Sequence, residues 1–386
     1  MANPSPKMLL GIAGAIAGAA VGVVGGVAAI KAIKGGDQAA DQGDETRDAM
    51  LDAGAPPSSE AAKPTLVHAH TLAREDSTFI MLDDLDVHVI ATGECQRRLE
   101  SERPAPADEW VPVVLIHGIA ASVVTWRPLV GALDEQLDFV AFDRPGFGLT
   151  ERPLPTDQLG AHYDRDGGPY TLERSVSLVW HLVDRLGAQR VILVGHSQGG
   201  TIAAMAAIRH PERVAALVLE APALDLAIPN VAFGALNALH LGGIGSRLVQ
   251  KLEQLDDRYF AYVWHDTQKI DAATIEAYRE PTQIDRWHDA LWEHVRTFRM
   301  PKFGKASWAQ LAEIPVLLVT GEQDRIVPSV ATHQAAQRLR DAGIDVELAV
   351  VSACGHIAHE EQMGEFAHIF RAFLRRHGLM SERPAA

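Results

Sequence analysis

Cysteine is nearly missing from these 386 residues: Cys95 and Cys354 are the only two. One pair of thiols makes no disulfide framework, and neither stands in a C-x-x-C spacing, so no thiolate metal site is expected and the redox compartment stays open. Positive charge is also scarce. Thirty-five Lys and Arg against fifty Asp and Glu leave a net charge of −15, with no basic stripe, which argues against a nucleic-acid partner. Much of that acidity lies between Asp37 and Glu60 and says little about the field around an active site. No H-E-x-x-H is present; His356, His359 and Glu360 read His-x-x-His-Glu, so neither a metal nor a cofactor is expected. What remains, 47% hydrophobic and 22% charged, is the balance of a globular protein.

The most informative stretch runs from Arg190 to Pro211. Val191 to Val194 is a short β-branched apolar run, a buried strand. Thr201 to Arg209 is Ala-rich and free of breakers, a helix stopped by Pro211. Between them stands Gly195-His196-Ser197-Gln198-Gly199, a G-x-S-x-G with a strand before it and a helix after. A chain that turns this sharply strains its central residue, and glycines at 195, 199 and 200 remove the Cβ atoms that would clash. The turn lifts the Ser197 hydroxyl clear of the sheet and aims the Gln198 N–H, at a helix N-terminus, toward any charge forming on a bound carbonyl.

Toward the N-terminus, Met8 to Ile30 is an uncharged run of 23 residues, about 34 Å as a helix and enough for a hydrocarbon core of about 30 Å. It is longer than a usual secretory h-region. A retained single-pass membrane anchor over 8–30 is therefore expected, with a cleaved signal and a secreted enzyme as the alternative. Gly14, Gly18, Gly22 and Gly26 fall four apart, a stripe along which a second helix could pack for self-association. Residues 31–65 are acidic and poor in large apolar side chains, a disordered linker. From 66 onward strands alternate with helices: Phe79–Leu82, Val87–Ala91, Val111–Ile116, Asp138–Phe142, Val214–Leu219, Ile314–Thr320 and Asp345–Val351 join the strand before Ser197. The helices are Thr125–Leu137, Pro169–Leu186 closed by Gly187, and Gly364–Arg376, while Cys95–Glu109 reads as a surface loop. That alternation is the mark of an α/β domain built on a parallel sheet covered on both faces. Residues 222–312 break it; with Trp264, Trp287 and Trp292 at helical spacing they read as a helical cap between a first core part, 66–221, and a second, 313–379.

A serine hydroxyl needs an adjacent base, and the base needs an orienting acid. Asp324 follows the strand Val316–Thr320, and His356 follows the strand ending at Val351. In a parallel sheet, residues just beyond strand C-termini meet on one edge. The order Ser197, Asp324, His356 resembles the α/β-hydrolases, as do Ile116-His117-Gly118-Ile119, Phe142-Asp143-Arg144-Pro145-Gly146-Phe147-Gly148 and Gly321-Glu322-Gln323-Asp324-Arg325-Ile326-Val327-Pro328. The resemblance runs from about Thr78 to Leu379. It implies a mostly parallel, eight-stranded sheet with helices on both faces and an inserted cap. It also implies a second oxyanion donor, the Ile119 N–H, beside Gln198. His117, Asp143 and Arg144 would brace loops, and His196 would point away from the oxyanion site. Asp225 is a rival acid.

Together these features predict a membrane-anchored serine esterase acting on an apolar or lipid-like, small-molecule acyl substrate. A serine nucleophile speaks against the haloalkane dehalogenases and epoxide hydrolases of this fold, which use aspartate there. C–C bond hydrolysis, amide hydrolysis and peracid formation remain alternatives. A catalytically silent, membrane-tethered binding protein is the rival from outside enzymology.

Overall fold

The computed structural model describes residues 67–380, apart from 103, 108, 155–156, 158–164, 225–245 and 247–256. The expected anchor, its glycine stripe, the linker and Asp225 lie outside the described residues. Among those described, no helix is long and apolar enough to cross a membrane.

One eight-stranded sheet organises the chain. Its strands are β1 (Ser77–Leu82), β2 (Leu85–Ala91), β3 (Val113–Ile116), β4 (Phe139–Phe142), β5 (Val191–His196), β6 (Val214–Glu220), β7 (Val316–Gly321) and β8 (Val346–Val351). The order across the sheet is β1-β2-β4-β3-β5-β6-β7-β8. Pairing is antiparallel for β1 with β2 and β2 with β4, and parallel from β4 to β8.

The sequence explains why the middle strands carry so few polar residues. Every residue of β3, β4, β5, β6 and β7 is buried. A strand turns alternate side chains to opposite faces, and both faces here are covered. Val114, Ile116, Leu193, Leu217 and Leu318 pack against the helices Leu172–Leu186 and Gln198–Arg209 in one core. Their neighbours Leu115, Ile192, Val194, Val218 and Leu317 join Trp126, Phe366, Phe370 and Phe373 in another. The helix Leu172–Leu186 starts at Thr171, whose hydroxyl accepts from the Arg174 N–H at 3.1 Å. It stops at Gly187, φ 71°, the left-handed residue that ends many helices.

Two segments differ from expectation. Within the stretch 95–109, expected as a loop, Gly93–Glu100 is a helix that buries Cys95 and Leu99, four residues apart on one face. Its polar face carries the pair Glu94–Arg98 at 2.9 Å. A helix that nothing in the sequence reading marked, Ser329–Asp341, follows Pro328 and packs Thr332, Ala335, Ala336 and Leu339 inward. Between β6 and β7 the described residues form helices and no strand, chiefly Asp257–Val263, Ala272–Arg279 and Trp287–Thr297.

Candidate active site

Four loops leave the carboxyl ends of β3, β5, β7 and β8 and meet on one rim. Ser197 follows β5 directly, at φ 54° and ψ −119°. An L-residue holds such a conformation only when its surroundings impose it, and the backbone here is clamped on both sides. The Ser197 N–H donates to Glu220 O at 2.9 Å; its carbonyl accepts from Gly200 at 3.0 Å and Ala223 at 3.0 Å. Close packing demands the neighbouring glycines. A Cβ on Gly195 would stand 2.3 Å from Gly199 O, and one on Gly199 would stand 2.0 Å from Ile116 O.

Beyond β7, Asp324 is held by its own turn: Oδ1 accepts from the Ile326 N–H at 2.8 Å and the Val327 N–H at 2.9 Å. That leaves Oδ2 to accept from His356 Nδ1 at 2.8 Å, with both side chains buried. An imidazole whose Nδ1 carries the proton presents Nε2 as the base. His356 and Ser197 line one cleft, whose walls include Ile119, Ala121, Tyr259, Val263, Tyr278 and Ile326. No hydrogen bond joins the two among the described residues; such bonds are commonly long before substrate binds.

Of the two expected oxyanion donors, Ile119 lines this cleft, and Gln198 opens the helix that follows Ser197. Neither N–H has an acceptor among the described residues. The loop behind Ile119 is built from buried polar groups. The Arg144 N–H donates to His117 Nε2 at 3.0 Å, so His117 carries its proton on Nδ1 and donates it to Gly118 O at 2.7 Å. Burial, with the Arg144 charge nearby, pushes the His117 pKa down to about 3 and keeps the ring neutral. Asp143 holds the loop from the other side, accepting from Val123 N, Leu149 N and His88 Nδ1.

His196 stands directly before the serine. It lines the cleft, and its Nε2 donates to His356 O at 2.9 Å. Burial, and then the neighbouring histidines, push its pKa well below the usual value. Several polar residues of the rim went unnoticed in the sequence. Glu220, the last residue of β6, accepts from His359 Nδ1 at 2.5 Å behind the cleft. Glu361 accepts from the N–H groups of Gly355, His265 and Asp266 at 2.7, 3.0 and 2.7 Å. It thereby joins the His356 loop to the segment between β6 and β7.

Comparison with known proteins agrees with this architecture. Residues 111–362 match the sequence model of the alpha/beta hydrolase fold. An uncharacterized hydrolase of Bacillus subtilis is 28% identical over 255 residues, 65% of this chain and 85% of that protein. The 2-hydroxy-6-oxo-2,4-heptadienoate hydrolase of Pseudomonas putida is 28% identical over 278 residues, 68% of this chain and 88% of its own. Among solved structures, the naproxen esterase of Bacillus subtilis superposes with a TM-score of 0.53 at 19% identity, covering 77% of this chain and 90% of the other. A bacterial membrane phospholipase A gives 0.55 at 22%, covering 78% and 86%; likenesses this remote speak to fold alone. The sheet order, the strand-end loops and a match running from before β3 to beyond His356 lead to one family: the chain is an α/β-hydrolase.

Proposed function

We propose that this hydrolase cleaves carboxylic esters through an acyl-enzyme on Ser197. The observation that carries the reading is the strained, clamped serine sharing one cleft with the His356–Asp324 pair. His356 Nε2 takes the Ser197 proton as Oγ attacks the acyl carbon. Asp324 fixes the tautomer and stabilises the imidazolium. The Ile119 and Gln198 N–H groups receive the oxyanion, each contributing about 3 kcal/mol in the transition state. His356 then protonates the leaving alcohol, and water attacks the acyl-enzyme through the same base.

A second reading comes from the relatives. The Pseudomonas putida relative is named a heptadienoate hydrolase, and a 2-hydroxymuconate semialdehyde hydrolase of a Pseudomonas strain is 29% identical over 280 residues. A dienoate brings a carboxylate into the site. The described walls of this cleft hold aliphatic side chains, two tyrosines and two histidines, but no lysine or arginine. That composition supports the ester. The 23 uncharged residues of 8–30 support a retained anchor and, through it, a substrate that collects at a membrane.

A panel of p-nitrophenyl esters of increasing chain length, run beside a 2-hydroxy-6-oxo-dienoate, tests the choice. Ester turnover that vanishes in Ser197→Ala, with fluorophosphonate labelling of Ser197, is the expected result. Dienoate cleavage without ester turnover would replace the ester reading, and wild-type ester turnover by Ser197→Ala would end it.

A further inference from the structure

Arg144 is 1% exposed and makes no ion pair among the described residues. The carboxylate of its neighbour Asp143 is committed elsewhere. Asp143 still favours the Arg144 charge at a distance, but burial outweighs it; burying a cation is costly, so where its hydrogens go matters. Nη2 donates to Gly118 O at 2.8 Å and Nη1 donates to Gln198 Oε1 at 2.7 Å, with the guanidinium carbon 4.8 Å from the Phe147 ring centre. Gly118 O and the Ile119 N–H belong to one peptide group. That group is planar and trans, so its carbonyl and its N–H point in opposite directions. Two donors, Arg144 Nη2 and His117 Nδ1, grip the carbonyl end. The other end belongs to the residue that lines the cleft beside Ser197.

We propose that Arg144 is a positioning residue for the oxyanion site, fixing and polarising the Gly118–Ile119 peptide at one hand of its guanidinium while anchoring Gln198 with the other. Hydrogen bonds to a carbonyl draw electron density from the amide and make its N–H a stronger donor, an effect that grows in a site of low dielectric. One cation thus acts on both segments whose N–H groups would meet the oxyanion. The lysine head is a point charge and cannot span both acceptors in one plane, which makes this role specific to arginine.

This inference rests on the hydrolase reading above, and the experiment separates the two. Steady-state ester hydrolysis is measured for wild type, Ser197→Ala, Arg144→Lys, Arg144→Gln and Gln198→Ala. In parallel, inhibition is measured with an alkylboronic acid, whose boron bonds Ser197 Oγ as the serine proton passes to His356, giving a tetrahedral boronate anion. Both Arg144 variants should lose about ten- to a hundredfold in kcat with KM within threefold, less than the roughly 10²- to 10³-fold cost of deleting an oxyanion donor. Boronate affinity should fall by the same factor as kcat/KM, whereas affinity for the product acid should hold. Gln198→Ala, which keeps its backbone N–H and removes only the second anchor, should lose about three- to tenfold by the same argument and serves if the Arg144 variants do not fold. If wild type and Ser197→Ala behave as expected but Gln198→Ala and every folded Arg144 variant keep wild-type kcat and boronate affinity, the Arg144 role is wrong and the hydrolase stands. If wild type turns over no ester and takes no label, the hydrolase reading falls and this inference with it.

Discussion

The His356 N–H donates to Val263 O at 2.7 Å, so the proposed base hangs by its own backbone from the helix Asp257–Val263. Gly355 permits the approach, since a Cβ there would lie 2.4 Å from the same carbonyl. Glu361 closes the junction through its three backbone donors. Glu361→Gln keeps one acceptor oxygen and turns an amide N–H₂ toward a donor. It should cost about 1–3 kcal/mol of stability and raise KM several-fold as the segment over the cleft loosens. Urea unfolding and steady-state kinetics check this; unchanged KM and midpoint would detach that segment from the site.

Asp324→Asn leaves an oxygen for Ile326 and Val327 but offers N–H₂ to His356 Nδ1. The ring must then accept there and carry its proton on Nε2, the wrong side for a base. A loss of about 10⁴ in kcat is expected, with an unfolding midpoint close to wild type. A loss below tenfold would move the acid to another residue.

Acid should unfold this protein early. His117 and His294 are buried, and burial followed by the charge of Arg144 lowers each to about 3. Unfolded, each titrates near 6.5, so between about 6.5 and 3 the unfolded chain binds protons that the folded one refuses. Stability is whole above about 6.5 and falls with pH below it, by about 1.4 kcal/mol per pH unit for each ring. Urea unfolding at pH 7.5, 6.5, 5.5 and 4.5 reads the slope, and His294→Phe should make it shallower by one proton. A flat profile down to pH 4.5 would contradict the burial argument.

Two glycines should answer oppositely to alanine. Gly199→Ala puts a methyl 2.0 Å from Ile116 O and 2.6 Å from His117 O, both backbone, and should prevent folding or labelling of Ser197. Gly131, inside the helix Arg127–Leu133, has nothing within 4 Å of the added methyl. Gly131→Ala should gain about 0.5–1 kcal/mol. Thermal unfolding distinguishes them, and similar shifts for both would refute the packing at 199.

The rim was legible because its signals are local. Gly195 to Gly200 state a turn by themselves, and Asp324 and His356 each follow an apolar run that reads as a strand. What the sequence hid depends on distant partners or on faint amphipathicity. Glu220 and His359 meet across 139 positions, and no spacing announces such a pair. The helix Gly93–Glu100 buries only two side chains, too few for periodicity to rise above its charges. Ser329–Asp341 did carry the pattern, with Thr332, Ala335, Ala336 and Leu339 at helical intervals, but small residues on the inner face kept it quiet.

Serines that open helices usually spend their hydroxyl on the first free amides, a contribution of about 1 kcal/mol. Ser197 opens Gln198–Arg209, yet its side chain forms no such bond. Alanine at 197 therefore takes nothing from the helix. The inert protein should be as durable as the active one, able to hold an uncleaved molecule through purification and so to reveal, by mass spectrometry of what it carries, which compound this enzyme acts upon.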